Sequence, residues 1–171
     1  VGYNGYSGIM NTQRGARIMY TPLESGSKDM DVTLMVAPGK EASQGFGSDY
    51  QYMDIMVQFD TQTLTGYGLR IYRKSGNSCE FVLMEHKDGK SKELCTPVES
   101  SAYLTECTIH VWTENGKLNA HVESSQISDD KVDLSVEMDK TNTYGGFCLI
   151  STGTTGDNSM YLCDLSIEWK N

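Results

Sequence analysis

His110, Trp112, Asn119 and His121 fall on two short alternating segments, Cys107 to Glu114 and Lys117 to Val122, that flank Asn115-Gly116. Asn-Gly between alternating segments signals a two-residue hairpin, because both central residues of a type I′ turn need φ > 0. That loop sets His110 opposite His121, Trp112 opposite Asn119 and Thr108 opposite Glu123. Period-2 alternation sends Ile109, Val111, Ala120 and Val122 to the core and leaves Trp112 at least partly exposed. An indole among imidazole, amide and carboxylate groups has the chemistry of a sugar site. The ring stacks on the apolar C–H face of a pyranose while its neighbours bond the hydroxyls. Two imidazoles without a third ligand make an incomplete metal or catalytic site. The plainer alternative is Trp112 packed under a loop beside a satisfied His pair.

Two further groups join the candidate set. In Tyr67 to Arg73, Leu69 and Ile71 point inward and Arg70 and Tyr72 outward, while Tyr50, Tyr52 and Asp54 stand near the start of another strand. If these strands lie beside the hairpin, Arg70 and Tyr72 extend it into an aromatic-and-arginine groove. Asp157, Asn158 and Asp164 flank a Gly-Thr-Thr-Gly loop before the last strand. Oxygen ligands in a loop suit calcium, although the spacing is not that of an EF-hand. An ordinary Asp/Asn turn explains the same residues. The chain has no defensible Ser/His/Asp order, phosphate loop or nucleotide fingerprint.

The elements that must position these residues are strands. No window of helical length keeps an i, i+3, i+4 apolar stripe. Strand patterns recur at Ala16 to Tyr20, Met30 to Val36, Met53 to Phe59 and Tyr67 to Arg73. A hairpin follows, Phe81 to Glu85 and Ser91 to Cys95 around Asp88-Gly89, and then the Asn-Gly hairpin. Val132 to Met138, Gly146 to Ser151 and Tyr161 to Trp169 complete ten or so strands. In Met53 to Phe59 the alternation places Ile55, Val57 and Phe59 on one face and Asp54, Met56 and Gln58 on the other. The fold class is all-β: a two-sheet antiparallel β-sandwich occupying residues 1–171 as one domain. Pro38 to Tyr50 and Ser151 to Ser159 read as long Gly-rich loops of the kind that often carry function.

With 14 Lys and Arg against 23 Asp and Glu, the net charge is −9. That balance argues against nucleic acid as a partner, since phosphate recognition needs clustered cations. No apolar run approaches the ~20 residues that span a bilayer, so no membrane insertion is expected. A start at Val1 without a charged-then-apolar segment suits a mature or excised domain. The five cysteines include no C-x-x-C, and most should be small buried hydrophobes. Cys148 and Cys163 are the pair that would face each other across the last two strands.

Gly66-Tyr-Gly-Leu-Arg-Ile-Tyr72, Cys107 to Trp112 with its Asn-Gly turn, Tyr144-Gly-Gly-Phe147 and the closing Leu162 to Trp169 resemble the concanavalin A-like lectin/glucanase superfamily. They look most like the laminin-G-like jelly rolls of secreted Bacteroidetes proteins. The likeness covers roughly residues 30 to 170. It implies a jelly roll acting as a non-catalytic carbohydrate-binding or accessory domain of a secreted, periplasmic or cell-surface protein. An oligosaccharide or polysaccharide would be the partner, and calcium is bound in many relatives. Such folds also host glycoside hydrolases, polysaccharide lyases and structural or adhesive spacers, so fold alone does not choose. Laminarinase-type members carry Glu-x-Asp-x-x-Glu on one strand. Here Glu137-Met138-Asp139 is followed by Lys140, Thr141 and Asn142, with no second Glu. Lyase-type members use a Gln-x-His, of which Ile109-His110 is an echo without the Gln.

Overall fold

Asn115 and Gly116 take φ values of 51° and 77°, and Asp88 and Gly89 take 49° and 76°. Both hairpins therefore close on left-handed pairs, as their sequences require. The computed structural model describes residues 2–3, 8–11, 16–21, 29–38, 49–74, 78–126, 130–139, 144–152 and 159–170. Every regular element among them is a strand. In chain order these are β1 (Gly2–Tyr3), β2 (Gly8–Asn11), β3 (Ala16–Tyr20), β4 (Asp29–Pro38), β5 (Tyr52–Asp60), β6 (Thr65–Arg73) and β7 (Cys79–Lys87). There follow β8 (Lys90–Glu93), β9 (Val98–Ser100), β10 (Cys107–Glu114), β11 (Lys117–Ser124), β12 (Lys131–Glu137), β13 (Gly146–Ser151) and β14 (Ser159–Lys170).

Two antiparallel sheets form the sandwich. Sheet I runs β1-β2-β14-β4-β10-β11-β12, and sheet II runs β3-β13-β5-β6-β7-β8 with β9 also on β7. Between them lies a core of alternate residues: Val32, Leu34 and Ile109 from sheet I meet Ile55, Leu69, Phe81 and Leu149 from sheet II. Trp169 of sheet I also reaches Tyr20 of sheet II, with ring centroids 5.6 Å apart, and its indole N–H donates to the Gly145 carbonyl at 2.8 Å.

Three expectations need correction. β1, β2 and β9 were not anticipated, because two to four residues are too few to show alternation. Phe59 does not share a face with Ile55 and Val57. A bulge intervenes in the β5–β6 pairing, with Gln58 at φ 47°, and one extra residue reverses the parity. Gln58 consequently turns between the sheets, its Nε2 lying 3.3 Å from Thr113 Oγ1, and Phe59 joins Met56, Cys148 and Ile150 in a second apolar cluster. Finally, Cys148 and Cys163 do not face each other. β13 lies in sheet II between β3 and β5, whereas β14 lies in sheet I, and none of the five cysteines forms a disulfide. Cys79, Cys107 and Cys148 are buried as expected, and burial pushes the Cys79 and Cys107 thiols up to about 12.

Candidate functional site

The hairpin register is the one its turn dictates: His110 opposite His121, Trp112 opposite Asn119, Thr108 opposite Glu123. Ile109 and Val111 are fully buried and Trp112 is half-buried. The two imidazoles do not bond each other. His110 Nε2 lies 2.5 Å from Asp31 Oδ1 on neighbouring β4, and Lys170 Nζ donates to the other Asp31 oxygen at 2.8 Å. Burial opposes the Asp31 charge, but Lys170 and His110 outweigh it and hold the carboxyl below its ordinary range. The His110 ring stacks on the Trp112 indole at 4.1 Å and 17°, so one indole face is already occupied. His121 bonds Asp133 at 2.6 Å and Glu123 at 3.2 Å, and Ser135 donates to Asn119 at 2.7 Å. The Asp133 bond, with Glu123, raises the His121 pKa against a smaller opposing effect of burial. The outer face of sheet I is thus a surface of side chains bonded to one another.

Arg70 and Tyr72 lie on the other side of the molecule. β6 belongs to sheet II, so the groove expected to join them to Trp112 does not form. Sheet II instead brings them beside Tyr52 and Asp54. Pairing sets Tyr52 opposite Tyr72 and Asp54 opposite Arg70, all on the outer face, because Ile55, Leu69 and Ile71 occupy the inner one. Arg70 donates to both oxygens of Asp54, Nε at 2.7 Å and Nη2 at 2.8 Å, a bidentate pair. Its guanidinium carbon also sits 3.8 Å from the Tyr52 ring centroid. Burial works against the Arg70 charge, yet the Asp54 carboxylate more than offsets it and raises the pKa. Tyr72 points to the neighbouring row, where its hydroxyl and Lys74 both bond Glu80 and its ring stacks on Tyr50.

His86 completes this cluster from β7. Its register partner is Gly66, yet its Nε2 reaches within 2.9 Å of Asp54 Oδ2 on β5, two strands away. Glycines on β6 clear the path. A Cβ on Gly66 would lie 2.8 Å from Phe59 Cδ2, and one on Gly68 would lie 2.0 Å from the Ile55 carbonyl oxygen. The Nε2 contact is close but misaligned, so this buried nitrogen has no hydrogen-bond partner, while the ring packs edge-on to Phe59. Asp54 is wholly buried and His86 is 8% exposed. Together with Tyr52, Arg70, Ser91, Phe59, Leu64 and Ile150, His86 lines a cleft of about 90 Å³. Its lining combines donors, acceptors and an aromatic ring with apolar side chains. His86 and Ser91 were missed in the sequence. A legible signal was Asp54, the lone charge in the largely apolar run Met53 to Phe59, which demands a buried partner.

Glu137 and Asp139 border a separate cleft of about 210 Å³ with Glu85 and Glu93. Glu93, Glu137 and Asp139 are exposed there. Of the calcium candidates, Asp157 and Asn158 lie outside the described residues. Asp164 is exposed on β14 and accepts from the Leu165 amide at 2.9 Å. Among the described residues no group of three or more His, Cys, Asp or Glu is arranged to hold a metal ion. Nor is any helix among them long and apolar enough to cross a membrane.

No family model matches the sequence, and no curated protein matches it. Solved structures do. The CBM2 module of the evolved Dit of Lactobacillus casei BL23 phage J-1 superposes with TM-score 0.66 at 10% identity, over 98% of this chain and 78% of that one. The fold is a two-sheet antiparallel jelly-roll sandwich. Carbohydrate-binding module CBM66 from Bacillus subtilis matches with TM-score 0.58 and 14% identity, over 96% of this chain and 92% of that one. The exoplasmic/lumenal domain of VIP36 in its Ca2+/Man-bound form gives TM-score 0.63 and 12% identity, over 97% and 79%. At these identities the likeness is one of fold.

Proposed function

We propose that this chain is a non-catalytic carbohydrate-binding domain of a secreted or cell-surface protein, akin to the jelly rolls of secreted Bacteroidetes proteins, and that it binds a glycan in the sheet II cleft. One observation carries the reading: Tyr52, Arg70, His86 and Ser91 line a single opening together with Phe59, Leu64 and Ile150. A sugar residue has the matching mixture, an apolar C–H face and a hydroxyl edge. The buried His86 nitrogen, close to Asp54 but without an aligned hydrogen bond, is a group a hydroxyl would satisfy. The carbohydrate-binding proteins named above share the fold and lend the reading further support. About 90 Å³ is room for roughly three waters, so the cleft takes the edge of one sugar residue and the rest of the glycan projects outward. Asp54 is sealed beneath Arg70, which favours binding over acid–base cleavage by two accessible carboxylates.

Isothermal titration against a panel of oligosaccharides tests this. The expected Kd is roughly micromolar to millimolar, about −8 to −4 kcal/mol, without cleavage. Tyr52→Ala should weaken binding by about tenfold or more, a loss of about 1.4 kcal/mol, whereas Trp112→Ala should leave it within about twofold. The reverse pattern moves the site to Trp112, His110, His121 and Asn119 on sheet I. Product release from a polysaccharide would instead make the domain a hydrolase or lyase. No binding at all would leave a structural spacer.

A further inference from the structure

We infer that Asp54 is the specificity-determining residue of the sheet II cleft and restricts it to neutral glycans, an inference that rests on the glycan-binding reading above. Among the described residues Arg70 is the sole Lys or Arg lining the cleft, and Asp54 holds it by two hydrogen bonds. A guanidinium recognises a carboxylate or sulfate through such a fork, and here the Nε/Nη2 edge is already taken. Tyr52 covers the flat of the same group at 3.8 Å. What remains for a ligand is three of the five N–H donors on a cation whose charge is already matched. Those donors suit the oxygen of a hydroxyl.

The surroundings act in the same direction. Lys87, Lys90 and Lys92 stand on the adjacent hairpin, but Lys87 pairs with Lys90 and Lys92 with Glu85, positions of the opposite parity to His86 and Ser91. Alternation therefore turns all three away from the cleft face. Glu93, opposite Met84, and Glu80, opposite Tyr72, do share that face. A ligand group bonded to His86 Nε2 would also sit close to Asp54 Oδ2, itself 2.9 Å from that nitrogen. A hydroxyl tolerates this, donating or accepting as needed. A ligand carboxylate has only acceptors and would meet a like charge in a poorly solvated setting.

Neutral probes (gluco-, manno-, galacto- and fructo-oligosaccharides) are titrated beside acidic ones (oligogalacturonate and a sulfated heparin oligosaccharide). Binding should be confined to the neutral set, and its affinity should change by less than about twofold between about 50 and about 500 mM NaCl, since a neutral ligand has no charge to screen. Asp54→Asn, which frees the Arg70 charge, should gain acidic binding by about tenfold at low salt. The double variant Asp54→Asn/Arg70→Gln, an uncharged pair, should not. Wild-type preference for the acidic probes with steep loss in salt overturns the inference while leaving glycan binding intact. Binding of neither set removes the glycan reading itself, and the inference with it. The wild-type salt series decides even if Asp54→Asn fails to fold.

Discussion

Asp31 on sheet I keeps 19% of its side chain exposed and divides its charge between His110 and Lys170, whereas Asp54 on sheet II has none exposed and gives both oxygens to Arg70. Each carboxylate thus has a histidine, a cation and an aromatic ring nearby, yet the settings differ in depth. On sheet I, bulky residues project from every neighbouring strand and pair side by side, so the polar groups satisfy one another and remain in water. On sheet II, Gly66 and Gly68 leave the first half of β6 without side chains on its outer face, and His86 of β7 reaches Asp54 of β5 across the strand. Water is removed there, a nitrogen goes unbonded, and a cleft remains. Similar residue types thus give a solvated network in one place and a desolvated cleft in another. Backbone bareness decides between them.

The largest expected effect tests that difference in depth. Arg70→Met removes the bidentate partner of the buried Asp54 carboxylate, leaving only the unaligned His86 contact, and should cost about 3–5 kcal/mol in urea unfolding. The counterpart on sheet I, Lys170→Met, should leave the urea midpoint nearly unchanged, because Lys170 is largely exposed and Asp31 retains both His110 and water. Equal losses would show that the two carboxylates are equally solvated and would erase the distinction. A smaller effect tests the bare strand. Gly68→Ala drives a Cβ to 2.0 Å from backbone at Ile55 and should destabilise by about 1–3 kcal/mol. Ser166→Ala, on an exposed position of β14, should stay within about 0.5 kcal/mol. Thermal melts of both variants beside wild type provide the measurement.

What the sequence reveals follows the range of the interactions involved. The Asn115-Gly116 hairpin was legible to the residue, since its turn needs two positive φ values and fixes everything paired within eight residues on either side. The inward and outward assignment of Arg70 and Tyr72 was legible for the same local reason. Their distance from Trp112 was not, because period-2 alternation says which face a residue occupies but not which sheet its strand joins. The Gln58 bulge was equally hidden: nothing in Met56 to Asp60 departs from a continuing strand, and a single added residue moved Phe59 from the core to the cleft. His86 contacts Asp54 across 32 positions of sequence and an intervening strand, and only the glycines of β6 hinted that such a reach was open.

The smallest expected effect sharpens the picture of sheet I as a set of solvated, nearly independent pairs. His121 is bonded by Asp133 and Glu123, which raise its pKa above the ordinary imidazole value. A group whose pKa is higher folded than unfolded binds more protons in the native state, so its stabilisation is fully present below the unfolded value of about 6.5. That stabilisation fades as pH climbs through the folded pKa. Urea unfolding across about pH 5 to 9 should therefore show a loss of under about 1 kcal/mol toward the alkaline side, since His121 is 28% exposed and Asp133 74%. His121→Gln should flatten that part of the profile. Asp31 acts in the opposite sense and in a separate window. Its folded pKa lies below the unfolded value of 3.8, so its contribution holds above that pH and is lost only as acid titrates the folded carboxyl. The two variants His121→Gln and Asp31→Asn should accordingly alter opposite ends of the pH–stability curve and add when combined. Strong non-additivity would mean that the sheet I charges act as one coupled network, and the contrast with the tightly bound Asp54–Arg70 pair would then be one of exposure alone.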